Sequence, residues 1–447
     1  MPEWRGRASA EKGFSAVIGS APLLSGRGAS VPFVTAAEAA RLAAPGSRIY
    51  IAGCCGEPTA VLDAVAADPD LWQGAELTGA FIPGVNRRDL SGLGRATRVR
   101  TIFATEGLRP GRSAGDVALW PAHYTELWRA LAAPGAVDIA YFQVPPPRAD
   151  GTVGFGVAGD FSPATVLAGA RLVGIVNPNM PDVVDGPRLA ADRFAAFVDS
   201  DAPLLTYDAG APDPAIERIA ALIAREIAPG DTIQLGLGKV QKAVLGALKD
   251  HRDLGFHGGM ISDPILPLIE AGVFARGITT GVALGSAALY RRCGAAGLAF
   301  RPVGDTHAET RLSRIERFVS INSLVEVDLF GQGNAEMLEG RQISGLGGLA
   351  DFVRGARSSP GGRSILALPA TSQRGTQSRI VAALARGTPV GVARSDIDCV
   401  VTEHGLADLR GADVETRAER LIAIAAPQFR DGLAADWAAL QQGAGRP

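Results

Sequence analysis

The chain has 447 residues, of which 47% are hydrophobic and 20% are charged; this predicts two or three domains and excludes a disordered protein. The 44 Lys and Arg residues balance 46 Asp and Glu residues, so the net charge gives no reason to expect a nucleic-acid or membrane partner. The 56 Gly and 29 Pro residues predict many tight turns and places where the backbone lies close to another group.

The cysteines, the histidines and the N-terminus exclude several further classes of protein. Four cysteines, two of them adjacent at Cys54 and Cys55, do not form a disulfide framework in a chain of this length. The five histidines are scattered, so no metal site is expected. No apolar run is long enough for a transmembrane helix, and residues 1–30 are interpreted as an N-terminal extension without a signal peptide. We therefore expect a cytoplasmic protein.

Short apolar strands alternate with Ala- and Leu-rich helical segments along the chain. Alternation of this kind favours an α/β fold with open, mostly parallel sheets. We predict strands at residues 48–52 and 232–235, which precede helices at residues 58–66 and 240–248 respectively.

Two pairs of segments resemble each other and suggest an internal duplication. Residues 45–65 and 229–248 both contain Pro-Gly, a strand, a loop of small residues and an amphipathic helix; a weaker pair is 169–183 with 393–411. These pairs predict two α/β domains of similar topology. The predicted domains are residues 31–215 and 216–447. The alternative is that any two α/β units would look this similar.

Two glutamates follow predicted strands directly. Glu57 precedes Pro58, which we predict at the first position of a helix, and Glu403 lies in the segment VVTEHGLADLRG at residues 400–411. Both residues are candidates for catalysis. An acidic side chain at such a place also stabilises a helix N-terminus, and that alternative stays open for both.

The segment GRSAG at residues 111–115 matches the G-x-S-x-G pattern of serine hydrolases. That pattern requires a strand before the serine and a helix after it. Here Arg109 and Pro110 precede the serine, and the following DVALWP favours extended or irregular structure. We therefore do not expect Ser113 to be a nucleophile.

The segment at residues 320–356 contains the most prominent glycine cluster. A predicted strand at 324–330 leads to a turn with Gly331, Gly333 and Asn334, and a second glycine group precedes a predicted helix at 349–353. Backbone N–H groups at a helix N-terminus bind a phosphate or a developing oxyanion. The alternative is a tight turn that needs positive φ. The second glycine group consists of Gly345, Gly347 and Gly348.

A polar loop follows another predicted strand, within residues 365–384. Arg374 and Arg379 in this loop are candidates for holding a carboxylate or a phosphate. The alternative is a solvated loop in which Ser378 caps a helix.

Several of these segments together resemble the acetyl-CoA hydrolase/transferase family, and within it the 4-hydroxybutyrate CoA-transferase type of class I CoA-transferases. The resemblance covers residues 32–433. It rests on the following segments in this order: GEPT at 56–59, FIPGVN at 81–86, VNPNMP at 176–181, IQLGLG at 233–238, SINSLVEVDLFGQ at 320–332, SGLGG at 344–348, LPAT and SRIV within 368–381, and VVTEHGLADLRG at 400–411.

The resemblance implies two open α/β domains with the active site in the cleft between them. It implies that a glutamate attacks an acyl-CoA thioester, and that the CoA then passes to a second, small carboxylic acid through a glutamyl-CoA thioester. Coenzyme A or acyl-CoA is accordingly expected as substrate, without a metal, in a homodimer or larger homo-oligomer. The residues expected in the site are Glu57, Glu403, Asn334, Gly347 and Gly348 for catalysis, and Gly345, Gly347, Gly348, Gln234, Gly236 and Arg379 for CoA.

The sequence departs from the family pattern at the position of the reactive glutamate. Related enzymes carry a His-Thr-Glu-Met-like segment followed by Ser-Asp-Gly, whereas this chain reads GFHGGMISDP at residues 255–264. The glutamate position is Gly259, the threonine position is Gly258, and Pro264 replaces the last glycine. Glycine has no side chain and cannot be the nucleophile.

Three hypotheses follow from this departure. Another carboxylate, Glu57 or Glu403, attacks the thioester or activates water, with hydrolysis favoured over CoA transfer. The protein binds CoA without turnover, as a binding or regulatory module. The loop at Gly258 and Gly259 is widened and admits a bulkier substrate to a changed reaction.

Overall fold

The computed structural model describes residues 31–372 and 375–443, and it builds them around two large sheets. The predicted N-terminal extension, residues 1–30, lies outside this range. The first sheet has seven strands, all parallel, in the order β4-β3-β2-β1-β5-β7-β9. These strands are β1 (Arg48–Ile51), β2 (Glu76–Gly79), β3 (Arg98–Thr101), β4 (Val117–Leu119), β5 (Ile139–Val144), β7 (Arg171–Val176) and β9 (Phe194–Asp199).

The second sheet has eight strands in the order β15-β13-β11-β10-β16-β21-β25-β26, and only its last pair is antiparallel. These strands are β10 (Thr232–Leu235), β11 (Gly255–His257), β13 (Ile278–Thr280), β15 (Ala299–Phe300), β16 (Phe318–Ser323), β21 (Arg363–Ala367), β25 (Cys399–Thr402) and β26 (Gly405–Asp408). Short strands form small ladders beside the sheets: β6 (Thr152–Gly154), β8 (Arg188–Ala190), β12 (Met260–Ile261), β14 (Val282–Ala283), β17 (Glu326–Asp328), β18 (Gly333–Asn334), β19 (Met337–Leu338), β20 (Arg341–Gln342), β22 (Thr371–Ser372), β23 (Gln377–Ser378) and β24 (Ile380–Val381).

Helices connect the parallel strands and cover the sheets. They are α1 (Ala36–Ala40), α2 (Thr59–Ala67), α3 (Arg109–Ala114), α4 (Tyr124–Ala132), α5 (Ser162–Leu167), α6 (Pro214–Arg225), α7 (Lys239–Ala247), α8 (Leu266–Glu270), α9 (Ala287–Cys293), α10 (Val303–Thr306), α11 (Glu309–Leu312), α12 (Leu349–Ser358), α13 (Val414–Ala423) and α14 (Arg430–Gly443). The predicted α/β class with open, mostly parallel sheets is confirmed.

The two sheets repeat one topology. Counted within its own sheet, the first strand lies centrally, strands two to four follow on one side and strands five to seven on the other. The stronger predicted repeat is correct, since it pairs β1 and α2 with β10 and α7. The weaker one is wrong: β7 is the sixth strand of its sheet and β25 is the seventh. Every buried parallel strand followed by a polar loop gives a similar local pattern, so that pattern does not identify equivalent strands.

Central strands of the first sheet are apolar on both faces, because helices cover both sides. All six residues of β5 are buried, and five of the six in β7. Parallel strands of this kind appear in a sequence as continuous apolar runs rather than as an alternating pattern. The strand predicted at 324–330 was placed too late, since β16 ends at Ser323 and only the short β17 falls within that range.

The two halves pack directly against each other. The backbone N–H of Ala283 donates to the carbonyl of Val157 at 2.9 Å, and that of Phe300 donates to the carbonyl of Asp185 at 2.7 Å. A single cluster of buried apolar side chains extends from the first sheet to the second. The space between the halves is therefore fixed by a shared core, and a cleft at this junction has a defined shape.

The described residues contain four free, buried cysteines and no helix long and apolar enough to cross a membrane. Within the same residues, no three His, Cys, Asp or Glu side chains lie together as a metal site would require.

Candidate active site between the two sheets

A cavity of about 400 Å³ lies where the two halves meet. The first half contributes Ile82, Pro83, Phe103 and Tyr124. The second half contributes residues at the ends of the central strands β10 and β16 and just beyond them, the glycine-rich loop before α12, and Gly259 and His307. In an open parallel sheet, ligands bind at the carboxyl ends of the strands where the strand order reverses, and β10 and β16 are the two strands at that point.

Five of the residues predicted in the site line this cavity together. They are Gln234, Gly236, Gly345, Gly347 and Gly348. Gln234 is buried and forms two hydrogen bonds with the amide of Asn322, at 2.9 and 3.4 Å. This pair ties β10 to β16 and fixes the polar edge of the cavity.

The glycine loop is shaped by close packing against the first half. A Cβ on Gly345 would overlap the carbonyl oxygen of Ile102, and a Cβ on Gly347 would lie 2.7 Å from the ring of Phe103. Gly347 has φ +56°, so its backbone conformation also favours glycine. The expected tight turn with positive φ is thus present at Gly347, while Gly345 permits close approach of the two halves.

The loop that lines the cavity also contains unpaired backbone donors. Within the described part of the chain, the N–H groups of Gly347 and Gly348 donate no hydrogen bond. They lie before the ten-residue helix α12, whose first turn carries the positive end of the helix dipole. This arrangement can stabilise a negative oxygen, as a developing oxyanion requires.

Gly345→Ala is expected to destabilise the protein by about 1–3 kcal/mol, because the added methyl group must displace the loop from Ile102. Gly246→Ala is the control, since Gly246 lies in α7 with no atom within 4 Å of an added Cβ. Urea unfolding of both variants measures the effect. Equal free energies of unfolding for the two variants would contradict the close approach.

Glu57 is buried outside the set of cavity-lining residues. Its Oε2 accepts a hydrogen bond from Nδ2 of Asn86 at 2.7 Å, and burial raises the pKa of its carboxyl group. Asn86 also accepts from the N–H of Ile82 at 2.9 Å, and Ile82 lines the cavity. Pro58 caps α2 rather than starting it, so Glu57 lies one residue further from the helix than predicted.

Asn334, which is buried, and Glu403, which is half-buried, also lie outside the cavity lining. Oε2 of Glu403 accepts from the N–H of Ala370 at 2.8 Å. Asn334 donates from Nδ2 to the carbonyl of Met337 at 2.7 Å and accepts from the N–H groups of Glu336 and Met337, both at 3.0 Å. Its hydrogen bonds hold the turn that positions Ala335 at the cavity.

Arg379 holds the backbone next to the cavity. Its Nη1 donates to the carbonyl of Val325, a cavity-lining residue, at 2.8 Å. Arg374 lies outside the described residues. The predicted helix cap at Ser378 is wrong, because Ser378 belongs to the short strand β23 and its Oγ donates to the carbonyl of Ile380.

Ser113 has no nucleophile geometry. It lies within α3, where its Oγ donates to the carbonyl of Arg109 at 3.2 Å, and it is exposed. The predicted extended segment after it is confirmed as β4.

Gly259 lies at the cavity, but the space beside it is filled. A Cβ on Gly259 would lie 2.7 Å from Cε1 and 2.9 Å from Nε2 of His307. The expected widening of this loop is therefore wrong, since an imidazole ring occupies the place next to the glycine. No sequence pattern pointed to His307, because it is an isolated histidine outside the motifs that resemble the family.

Two domain families and several solved structures match this architecture. The acetyl-CoA hydrolase/transferase N-terminal domain matches residues 31–188, and the corresponding C-terminal domain matches residues 285–437. The chain is 32% identical over 417 residues to the 4-hydroxybutyrate coenzyme A transferase of Clostridium kluyveri, covering 90% of this chain and 96% of that relative. The chain belongs to the acetyl-CoA hydrolase/transferase family.

The solved structures agree with this assignment. RipA from Yersinia pestis superimposes with a TM-score of 0.86 at 29% identity, covering 92% of this chain and 98% of RipA. The 4-hydroxybutyrate CoA-transferase from Porphyromonas gingivalis gives a TM-score of 0.73 at 28% identity, covering 92% of this chain and 98% of that protein.

A sequence relative is named a hydrolase. This acetyl-CoA hydrolase of Neurospora crassa is 29% identical over 206 residues, covering 42% of this chain and 37% of the relative.

Proposed function

We propose that this chain is an acyl-CoA-processing enzyme that opens the thioester in the cavity between its halves, with water favoured over a carboxylic acid as acceptor. One observation carries the preference for water. The described residues that line the cavity include no Asp or Glu. A glutamyl-CoA intermediate needs a carboxylate in contact with the thioester carbon, held in near-attack geometry.

The remaining polar groups suit attack by water. Gly347 and Gly348 line the cavity, and their N–H groups donate no hydrogen bond within the described residues, so they are available to the carbonyl oxygen of a thioester. Negative charge develops on this oxygen when a nucleophile adds to the carbon, and preorganised donors stabilise it. Gln234 and Gly236 lie across the cavity, where they would contact the acyl group or the pantetheine arm of CoA.

Incubation with acetyl-CoA, and separately with succinyl-CoA, tests the proposal. Released thiol and exchanged acyl groups are measured with and without acetate. We expect thiol release without acetate, changed less than about threefold by adding it. Exchange without thiol release would establish a transferase instead. CoA binding without either reaction would establish a binding module, and absence of CoA binding would refute the proposal.

Glu57 and Glu403 remain the predicted alternatives as reacting carboxylates. The side-chain oxygen of Gln can still accept the hydrogen bond that each glutamate accepts. Glu57→Gln therefore keeps the contact with Asn86, and Glu403→Gln keeps the contact with Ala370. We expect each to retain thiol release within about threefold, since neither residue lines the cavity. The exposed Glu419→Gln serves as the control. A hundredfold loss in one variant, a typical size for a missing catalytic group, would identify that carboxylate as the reacting one.

Assembly and location are part of the proposal. We propose a homodimer or larger homo-oligomer in the cytoplasm, with the domains at residues 31–215 and 216–447. Light scattering of the purified chain measures its mass against that of the 447-residue monomer.

A further inference from the structure

His307 occupies the place beside Gly259 and contacts both functional parts of the cavity. Its ring packs against the rings of Tyr124 and Phe352, with centroids 4.9 and 4.4 Å away, and only 2% of the residue is exposed. A Cβ on Gly348 would overlap Nε2, so this nitrogen lies between the vacant position at Gly259 and the donor loop.

The hydrogen bonds of Thr306 assign the tautomer of His307. Oγ1 of Thr306 is 3.3 Å from the carbonyl oxygen of Pro302, to which it donates, and 2.8 Å from Nδ1 of His307. The hydroxyl has one proton, so both contacts are hydrogen bonds only in the tautomer in which Nδ1–H of His307 donates to Oγ1, and we assign this tautomer. Nε2 then carries a lone pair, and it forms no hydrogen bond with the described residues.

We propose, on the basis of the hydrolysis proposed above, that His307 is the catalytic base that replaces the missing carboxylate. A water molecule donates a hydrogen bond to Nε2, and its oxygen attacks the thioester carbon while the carbonyl oxygen lies at the N–H groups of Gly347 and Gly348. Nε2 takes the proton of the water. The carbon–sulfur bond then breaks, and the proton passes to the CoA sulfur, giving a carboxylic acid and CoA thiol.

The surroundings keep the ring in its basic form before the reaction. Burial, with a smaller contribution from His257, lowers the pKa of His307 to about 3, so the ring is neutral at physiological pH. Two other titratable groups of the described residues act on it: Tyr124, whose ring packs against the imidazole, and His257, which donates to the carbonyl of Thr306. An oxyanion beside Nε2 adds the negative charge that favours the imidazolium in the transition state.

His307→Gln tests the assignment. Gln keeps a polar side chain of similar reach but cannot accept a proton at neutral pH. General-base catalysis contributes about 10²–10⁴-fold, so we expect kcat for thiol release from acetyl-CoA to fall at least a hundredfold. CoA affinity, measured by calorimetry, stays within about threefold. The control is His251→Gln, at a half-buried histidine whose Nε2–H donates to the carbonyl of Ala224 at 3.0 Å.

A second measurement on the unchanged protein does not depend on how the variant folds. Thiol release by the wild type is expected to vary less than threefold between pH 8 and pH 5.5, because His307 stays neutral there. A folded His307→Gln variant that retains a third of wild-type kcat would overturn the proposal. Acyl exchange without thiol release in the wild type would refute the role of His307 in activating water while leaving acyl-CoA processing intact. A wild type that neither binds CoA nor releases thiol would refute both.

Discussion

Gly259→Glu alone is expected to produce no acyl exchange between succinyl-CoA and acetate, whereas Gly259→Glu combined with His307→Ala is expected to produce it. The new Cβ at position 259 lies 2.7 and 2.9 Å from atoms of His307, so the single variant cannot place its carboxylate in the cavity. The imidazole cannot turn aside freely, because it is buried and packs against the rings of Tyr124 and Phe352. Removing the ring opens the space that the glutamate side chain needs.

The double variant is expected to exchange acyl groups at least tenfold faster than the wild type, measured with labelled acetate. His307→Ala alone is the control, and it should show neither exchange nor thiol release. Exchange by the single Gly259→Glu variant would mean that His307 moves aside without difficulty. A folded, CoA-binding double variant without exchange would show that position 259 is not where a nucleophile is needed.

Asp160→Asn is expected to make the protein more stable at pH 8 and to change little at pH 4. Asp160 is 7% exposed, and burial raises its pKa from 3.8 to about 7. The folded state therefore keeps a proton that the unfolded chain loses above pH 3.8. The resulting stabilisation is complete below pH 3.8 and is lost as the pH rises through about 7. The free energy of unfolding that is lost over this pH range is about 4 kcal/mol.

Oδ1 of Asp160 accepts a hydrogen bond from the N–H of Phe161 at 2.8 Å. Asn has the same oxygen and nearly the same size, so this hydrogen bond and the packing are preserved. Urea unfolding at pH 4, 5, 6, 7 and 8 gives the difference in unfolding free energy between the two proteins. We expect wild-type stability to fall by about 4 kcal/mol relative to Asp160→Asn across this range. The exposed Glu419→Gln serves as the control. A constant difference would mean that Asp160 ionises in the folded protein as it does in the unfolded chain.

Much of the secondary structure could be predicted from the pattern of neighbouring residues. The strand at 232–235 was predicted with the bounds that the structure has, and the helix expected at 349–353 is present and extends to Ser358. Apolar runs and the glycines that end them depend only on neighbouring residues, so the sequence alone predicts these strands and helices. The match between β7 and β25 failed because the position of a strand within a sheet depends on pairing partners distant in the chain.

The residues of the candidate site could be predicted only in part from the sequence. Gly345, Gly347 and Gly348 formed a visible cluster, and they do line the cavity with Gln234 and Gly236. Glu57 and Glu403 were equally visible in the sequence, yet their side chains point to partners outside the cavity lining. Distance from a strand end along the chain does not decide where a side chain points.

The sequence by itself determined the family, the repeated α/β architecture and the glycine at position 259, since each is written in the order of residues. The tertiary structure decided what stands beside that glycine. His307 is 48 residues away along the chain, and only the packing of α10 next to β11 and α12 places its ring there. Side-chain volume that is missing at one position of a close-packed interior is filled from elsewhere, and a sequence does not say which residue fills it.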